Sequence, residues 1–324
     1  MPISGPYLVT GAAGFIGFRF IESCKIKGIP VISVDKLRNF TARPEHLGTD
    51  FGTIVDREEL WSWLNQTNPP ISTIIHLGAC TNTTEMNEEL LRRMNLEYSQ
   101  KLWEYAATHR IPFVYASSAA TYGDGSLGYD DKENLIAQLK PLNPYGESKR
   151  LFDLWALDQE HLSKAPPTWA GFKFFNVYGY GERHKNKMAS VILHAYDQIL
   201  STGKVSLFKS HKDGIADGHQ KRDFVSVEDT VQVLHMALER PILRGIFNLG
   251  TGQARTFLDL VHAVFKAMNR PAEIEFIDTP VELRSRYQYF TEAKMDRLRK
   301  EGCKIQFQSL EEGVSAYIKR LVAR

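Results

Sequence analysis

The stretch LVTGAAGFIG (residues 8–17) sets Gly11, Gly14 and Gly17 where a short apolar run gives way to the helical pattern FIGFRFIESCK (15–25). Glycines at this spacing permit a tight turn, close approach of the backbone to a pyrophosphate and close helix–strand packing, with phosphate at the helix N-terminus. Phe15 and Ile16 share that first helical turn. A glycine triplet by itself is a weak signal. Here Asp35 ends the next apolar run, PVISVD (30–35), about 20 residues further on, which is where a ribose-binding carboxylate belongs in a dinucleotide site. Asp35 alone favours NAD. Lys36 and Arg38 follow at once and suit a ribose 2′-phosphate, so NADP stays open. Asp56, after FGTIV (51–55), is a candidate partner for the adenine amino group or simply a surface aspartate.

Outward from this turn the pattern repeats. STIIHLGA (72–79), PFVYASS (112–118) and GFKFFNVYG (171–179) are further short apolar runs. Between them EELLRRMNLEYSQKLWEYAATH (88–109) and YGESKRLFDLWALDQEHL (145–162) carry apolar residues at helical spacing. Strand–helix–strand alternation of this kind predicts an α/β fold, a doubly wound parallel (Rossmann) sheet. After Gly179 the pattern loosens into polar stretches, then returns in DFVSVED (223–229) and GIFNLGTG (245–252). Leaving and returning predicts a smaller, discontinuous α/β substrate domain. The expected division is 1–174 with 224–252 and 287–302 for the dinucleotide, and 175–223 with 253–286 and 303–324 for the substrate.

Composition narrows the function. Among 324 residues, 40 basic and 38 acidic side chains leave a formal charge of +2. That gives no long-range positive field, which argues against nucleic-acid or membrane-surface binding. Three cysteines, Cys24, Cys80 and Cys303, are widely spaced, so neither a disulfide framework nor a metal site is expected. The N-terminus lacks a secretory pattern and no run of about 18 apolar residues occurs, so a cytoplasmic chain is expected.

Candidate chemistry begins in YGESK. Tyr145 and Lys149 stand at i,i+4 on one helical face. An ammonium beside the phenol, with the positive ring of an oxidised nicotinamide, favours phenolate and is expected to lower the tyrosine pKa. YASSAATYG (115–123) comes at the carboxyl edge of the sheet, where Ser118 can orient a substrate hydroxyl toward Tyr145. Asn176 is a candidate substrate amide or a buried structural asparagine. Arg222, Arg286 and Tyr287 can clamp a diphosphate and stack near its base. His76 ends a strand on the same edge and reads as a hydrogen-bonded structural histidine. Asn95 joins the expected cofactor set.

Glycine triplet, Ser118, Tyr145 and Lys149, in this order, resemble the extended short-chain dehydrogenase/reductase superfamily, which modifies nucleotide-linked sugars. FFNVYG, KRDFVSVEDT and FNLGTG are similar to that group, so the resemblance covers essentially the whole chain. HLGACTNTTEMN, YASSAATYG, HKNKMAS and RYQYFTEA resemble its branch of 6-epimerases acting on an ADP-linked heptose. The resemblance implies bound NADP, a homo-oligomer of pentameric kind, and a role in making the heptose of bacterial lipopolysaccharide. Dehydratases of the superfamily carry an Asp-Glu pair just after the serine; this chain has Ala119 and Ala120. A 4-epimerase and a non-catalytic NADP-binding regulatory protein are the alternatives. KSHKDGIADGHQKRD (209–223) looks longer than the corresponding loops of the branch.

A carbinol C–H is not acidic, so inversion there requires transient oxidation to a ketone and return of the same hydride to the opposite face. A ketone that turns over presents its oxygen in two places, and one tyrosine serves only one of them. In the resembling branch the second acid–base group is a lysine followed by two residues and Met-Ala-Ser, which here selects Lys185 over Lys187. His184 adjoins it. The neighbouring cations are expected to lower the Lys185 pKa.

Overall fold

A computed structural model describes residues 5–239, 243–284 and 287–323. The apolar runs form strands: β1 (Tyr7–Thr10), β2 (Val31–Asp35), β3 (Thr53–Asp56), β4 (Thr73–His76), β5 (Phe113–Ser118), β6 (Trp169–Phe174), and later β10 (Arg244–Leu249). They pair in the order β10-β6-β5-β4-β1-β2-β3, parallel throughout. All four residues of β1 and of β4 are buried, as expected of strands covered by helices on both faces. The expected doubly wound sheet is therefore observed.

From β1 the chain winds through β2 and β3 on one side, then crosses back to β4 on the other. The carboxyl ends of β1 and β4, where Thr10 is in register with His76, mark the reversal point at which such sheets bind ligands. The His76 ring is wholly engaged there: Nδ1 lies 2.6 Å from the Thr10 hydroxyl and Nε2 2.8 Å from the Ser99 hydroxyl. Burial, reinforced by the nearby Lys149 charge, pushes His76 down to about 3 and keeps it neutral.

The stretch read as one amphipathic helix over 88–109 is helical but not uniform. Residues Glu88–Leu91 and Tyr98–Thr108 are α-helical, and Arg92–Glu97 between them makes a π turn. The second helical stretch is the helix Pro144–His161. Pro144 occupies its first turn, where a missing N–H costs nothing, and the Asn143 side chain accepts the Gly146 N–H at 2.8 Å. Phe152 on that helix packs edge-on against Trp103 and Tyr115, with centroids 6.3 and 4.8 Å apart. All three rings are buried, so the helix carrying Tyr145 and Lys149 is fixed against the sheet. Truncating such a ring costs about 3–5 kcal/mol.

The polar second half builds smaller sheets. β7 (Asn176–Tyr178) pairs parallel with β9 (Lys221–Ser226), which pairs antiparallel with β11 (Ala254–Thr256). β8 (Val205–Phe208) and β12 (Ile274–Ile277) form a parallel pair. The expected domain cut at 223/224 falls inside β9, one continuous strand, because DFVS belongs to the three-stranded sheet and VED starts the helix Val227–Glu239. Among the described residues no helix is long and apolar enough to cross a membrane, and no cluster of side chains suits a metal ion.

Candidate active site

One cleft of about 1440 Å³ runs along the carboxyl edge of the large sheet and between it and the smaller sheets. Gly11, Gly14, Phe15, Ile16 and Gly17 line it at one end. Gly11 has φ +67°, and a Cβ there would meet Gly78 N at 2.6 Å. A Cβ on Gly17 would stand 2.1 Å from the Gly11 carbonyl oxygen. Only glycine allows this turn to close against its helix, so the cradle expected for a pyrophosphate is present in backbone form.

Asp35 lies beside the cradle and is already engaged. It accepts the Ala13 N–H at 3.2 Å, the Lys36 N–H at 2.8 Å and the Asn39 amide at 2.7 Å. Lys36 and Arg38 line the cleft here, and so does Arg43, which the sequence reading missed. The Arg43 guanidinium donates to the Ala13 carbonyl, and burial lowers its pKa while Asp35 acts against that shift. With Arg57, whose backbone N–H donates to the Asp35 carbonyl at 3.0 Å, four cations therefore line the cleft around Asp35.

Asp56, in register with Asp35 on the next strand, and Asn95 do not line the cleft. Asp56 accepts backbone N–H groups of Leu37 and Glu58 at 3.2 and 2.9 Å, organising the turn after β3. Asn95, fully buried in the π turn, accepts the Cys80 N–H at 2.7 Å and donates to the Cys80 carbonyl and the Ser148 hydroxyl, each at 3.0 Å. Its amide is consumed in tying the loop after β4 to the Tyr145 helix.

At the centre of the cleft stand Ser118, Tyr145 and Lys149. Ser118 is the last residue of β5, which ends where the run PFVYASS ends, and its hydroxyl bonds the Tyr145 phenol. The Lys149 ammonium donates to the Ala116 carbonyl at 2.8 Å. Burial brings Lys149 down to about 8, with Asp153 opposing that shift. The expected lowering of Tyr145 is not found in the protein alone: burial pushes the phenol up, and the Ser118 bond only partly offsets it. Desolvation of a phenolate outweighs a lysine already committed to a backbone carbonyl. Ala119 and Ala120 follow on a 3₁₀ turn, so no carboxylate stands beside Ser118 there.

The second-half candidates line the far wall. Asn176 is exposed on the cleft and is thus not the buried structural asparagine of the alternative reading. Arg222 lies between the Phe257 and Tyr287 rings, 5.7 and 5.5 Å from their centroids, and donates to the Lys221 and Gln288 carbonyls. Burial lowers its pKa. Arg286 lies outside the described residues.

The segment Arg183–Met188 forms a 3₁₀ turn over the cradle and brings His184, Lys185 and Lys187 to the cleft. Lys185 Nζ lies 5.1 Å above the Phe15 ring. Asn186 takes φ +48°, ψ −122°, a conformation disfavoured for any residue with a Cβ, which separates Lys185 from exposed Lys187. Burial, with Arg43 and Lys185 nearby, brings His184 down to about 3. The sequence reading missed Glu182. Wholly buried, it accepts from Ser190 N and Ser190 Oγ at 2.8 and 2.6 Å and from Gly179 N at 3.3 Å, so one carboxylate ties both ends of the loop together.

Residues 7–250 match the NAD dependent epimerase/dehydratase family. The ADP-L-glycero-D-manno-heptose-6-epimerase of Nitratidesulfovibrio vulgaris is 44% identical over 320 residues, 98% of both chains. That of Fusobacterium nucleatum is 42% identical over 328 residues, again 98% of both chains. The crystal structure of the Helicobacter pylori ADP-L-glycero-D-manno-heptose-6-epimerase superposes with a TM-score of 0.82 at 25% identity, covering 99% of this chain and 98% of the other. With a glycine cradle, a Ser–Tyr–Lys centre and a second lysine in one cleft, the chain belongs to the NAD dependent epimerase/dehydratase family, on the branch formed by the ADP-L-glycero-D-manno-heptose-6-epimerases.

Proposed function

We propose that this isomerase converts ADP-D-glycero-D-manno-heptose to ADP-L-glycero-D-manno-heptose by transient oxidation at carbon six, with NADP as the resident cofactor. The observation that carries the reading is the presence of Ser118, Tyr145, Lys149 and Lys185 in one cleft beside the glycine cradle. When bound, the dinucleotide accepts and returns the hydride. Ser118 orients the substrate hydroxyl, and Tyr145 takes or returns its proton for one epimer. Lys185, on a loop tethered by Glu182 and Ser190, does the same for the other. Asn176, Arg222, Arg286, Tyr287 and His184 hold the substrate, with Arg222 suited to its diphosphate. Lys36, Arg38 and Arg43 support NADP over NAD, since three donors already sit on the Asp35 carboxylate and leave about one acceptor site for a ribose hydroxyl.

The reading extends to a cytoplasmic homo-oligomer, by resemblance a homopentamer, supplying heptose for lipopolysaccharide, and to the two-part division of the chain given above. The 4-epimerase alternative is less supported, because the curated relatives at 42% and 44% identity carry the 6-epimerase name. The direct test incubates the purified protein with ADP-D-glycero-D-manno-heptose and follows carbon-six configuration by NMR, with mass spectrometry of the dinucleotide released on denaturation. Inversion with NADP(H) released is expected. No inversion refutes the reaction, and NAD alone, with no gain from added NADP, refutes the cofactor assignment.

A further inference from the structure

Beneath the cleft lies an ion pair that the reaction does not use. Lys173 on β6 and Asp153 on the helix Pro144–His161 are both fully buried, with Nζ 2.6 Å from Oδ2. Besides the Tyr122 ring, whose centroid lies 5.3 Å from Lys173 Nζ, the pair is held by short hydrogen bonds. Asp153 accepts the Tyr115 hydroxyl at 3.0 Å and the Ser117 hydroxyl at 2.7 Å. Lys173 donates to the Thr121 hydroxyl at 2.8 Å, and Thr121 donates to the Ser118 carbonyl, also at 2.8 Å.

Burying such a pair brings little net stability, because desolvation of both ions offsets their attraction, and apolar residues of similar volume often serve as well. What the pair does have is connections. Asp153 stands one helical turn beyond Lys149, as Lys149 stands one turn beyond Tyr145, so the three share a face. Through Thr121 the same pair grips the backbone of Ser118. One buried ammonium therefore joins the helix that carries Tyr145 and Lys149 to the strand end that carries Ser118.

We propose that the Lys173–Asp153 pair is a positioning device for catalysis, holding Ser118 through Thr121 and Lys149 through Asp153 so that both meet the Tyr145 phenol in one arrangement. This rests on the reading of Ser118, Tyr145 and Lys149 given above. The charge environment of Lys149 supports it. Around Lys149 stand Tyr145 and Asp153 one turn to either side on its own helix, the Ala116 carbonyl on β5, and His76 on β4, which burial keeps neutral. Burial lowers Lys149 to about 8, and the Asp153 charge acts upward against it. Asp153 thus helps keep the ammonium protonated where the reaction needs it.

The test measures kcat and KM for epimerisation from pH 6 to 10 in the wild-type holoenzyme, Asp153→Asn and Thr121→Val, with Tyr145→Phe in parallel. Asp153→Asn is expected to move the alkaline limb of kcat down by about one pH unit with KM little changed. Thr121→Val keeps both charges and is expected to lower kcat about tenfold with no movement of the limb, through misplacement of Ser118. Asp153→Asn/Lys173→Met, which buries no charge, is measured alongside in case the single variant does not fold; the same limb shift is expected. In whichever Asp153 variant folds, an unshifted limb or a loss uniform across pH overturns the proposal, as does wild-type kcat in Thr121→Val. Normal turnover by Tyr145→Phe would instead remove the underlying site assignment.

Discussion

Lys185 Nζ stands 3.5 Å from Glu182 Oε2, while the stronger bonds of that buried carboxylate go to Ser190. The loop is thus fastened by its backbone and by serine, and the lysine itself is held by one long contact. A side chain so placed keeps its position over Phe15 yet is free to turn toward a substrate oxygen.

Lys185→Met is therefore expected to lower epimerisation by about 10²–10⁴-fold, the usual cost of one acid–base group. Lys187→Met, at an exposed position across the strained Asn186 turn, is expected to raise KM only modestly. Steady-state kinetics on both variants decides this: equal losses, or wild-type turnover in the Lys185 variant, would return the loop to a solvated basic surface.

Tyr145→Phe deletes one hydroxyl and its bond to Ser118 but no packing area. Turnover is expected to fall by a similar 10²–10⁴-fold while dinucleotide content, read by absorbance of the purified protein, stays as in wild type. Near-normal inversion by this variant would exclude the phenol as an acid–base group.

Arg43→Ala removes a partly buried cation beside the glycine cradle. A charge-assisted bond to a phosphate contributes about 1.5–3 kcal/mol, so NADP affinity is expected to drop by about tenfold or more, with NAD affinity nearly unchanged. Titration calorimetry with both dinucleotides separates the two. A parallel loss for NAD and NADP would place Arg43 in the architecture of the turn and not at a 2′-phosphate.

Mild acid is expected to destabilise the fold through its buried histidines. Burial brings His76 and His184 down to about 3 and His235 to about 4. All three stay neutral in the folded protein while the unfolded chain takes up protons below its ordinary value of about 6.5, so stability is complete above that pH and falls as pH drops below it. For His76 alone the loss is about 1.4 kcal/mol one unit below 6.5, with contributions of the same order from the other two. Urea midpoints at pH 7.5 and 5.5 read this directly; equal midpoints would mean that these rings protonate within the fold.

The sequence by itself determined where the strands from β1 to β6 lie along the chain, because parallel strands covered on both faces are continuous apolar runs, and those runs are visible in one dimension. It determined the glycine turn, since Gly14 and Gly17 meet the Gly11 carbonyl a few residues back in the chain, and the Tyr145–Lys149 pair, since i,i+4 spacing is local, whereas the close approach of Gly11 to Gly78 belongs to the tertiary structure. Only the tertiary structure decided the rest. Whether Asp35 has capacity to spare depends on Ala13 and Asn39, and Arg43 joins Lys36 and Arg38 only once the turn after β2 has folded back on the cradle. Asn95 looked available for cofactor because sequence cannot show that Cys80 and Ser148 use its amide. The Tyr145 pKa moved opposite to expectation because burial is a property of the packed protein. Glu182 and the Lys173–Asp153 pair were equally unreadable: a buried charge is set by partners distant in sequence, and no local pattern announces them.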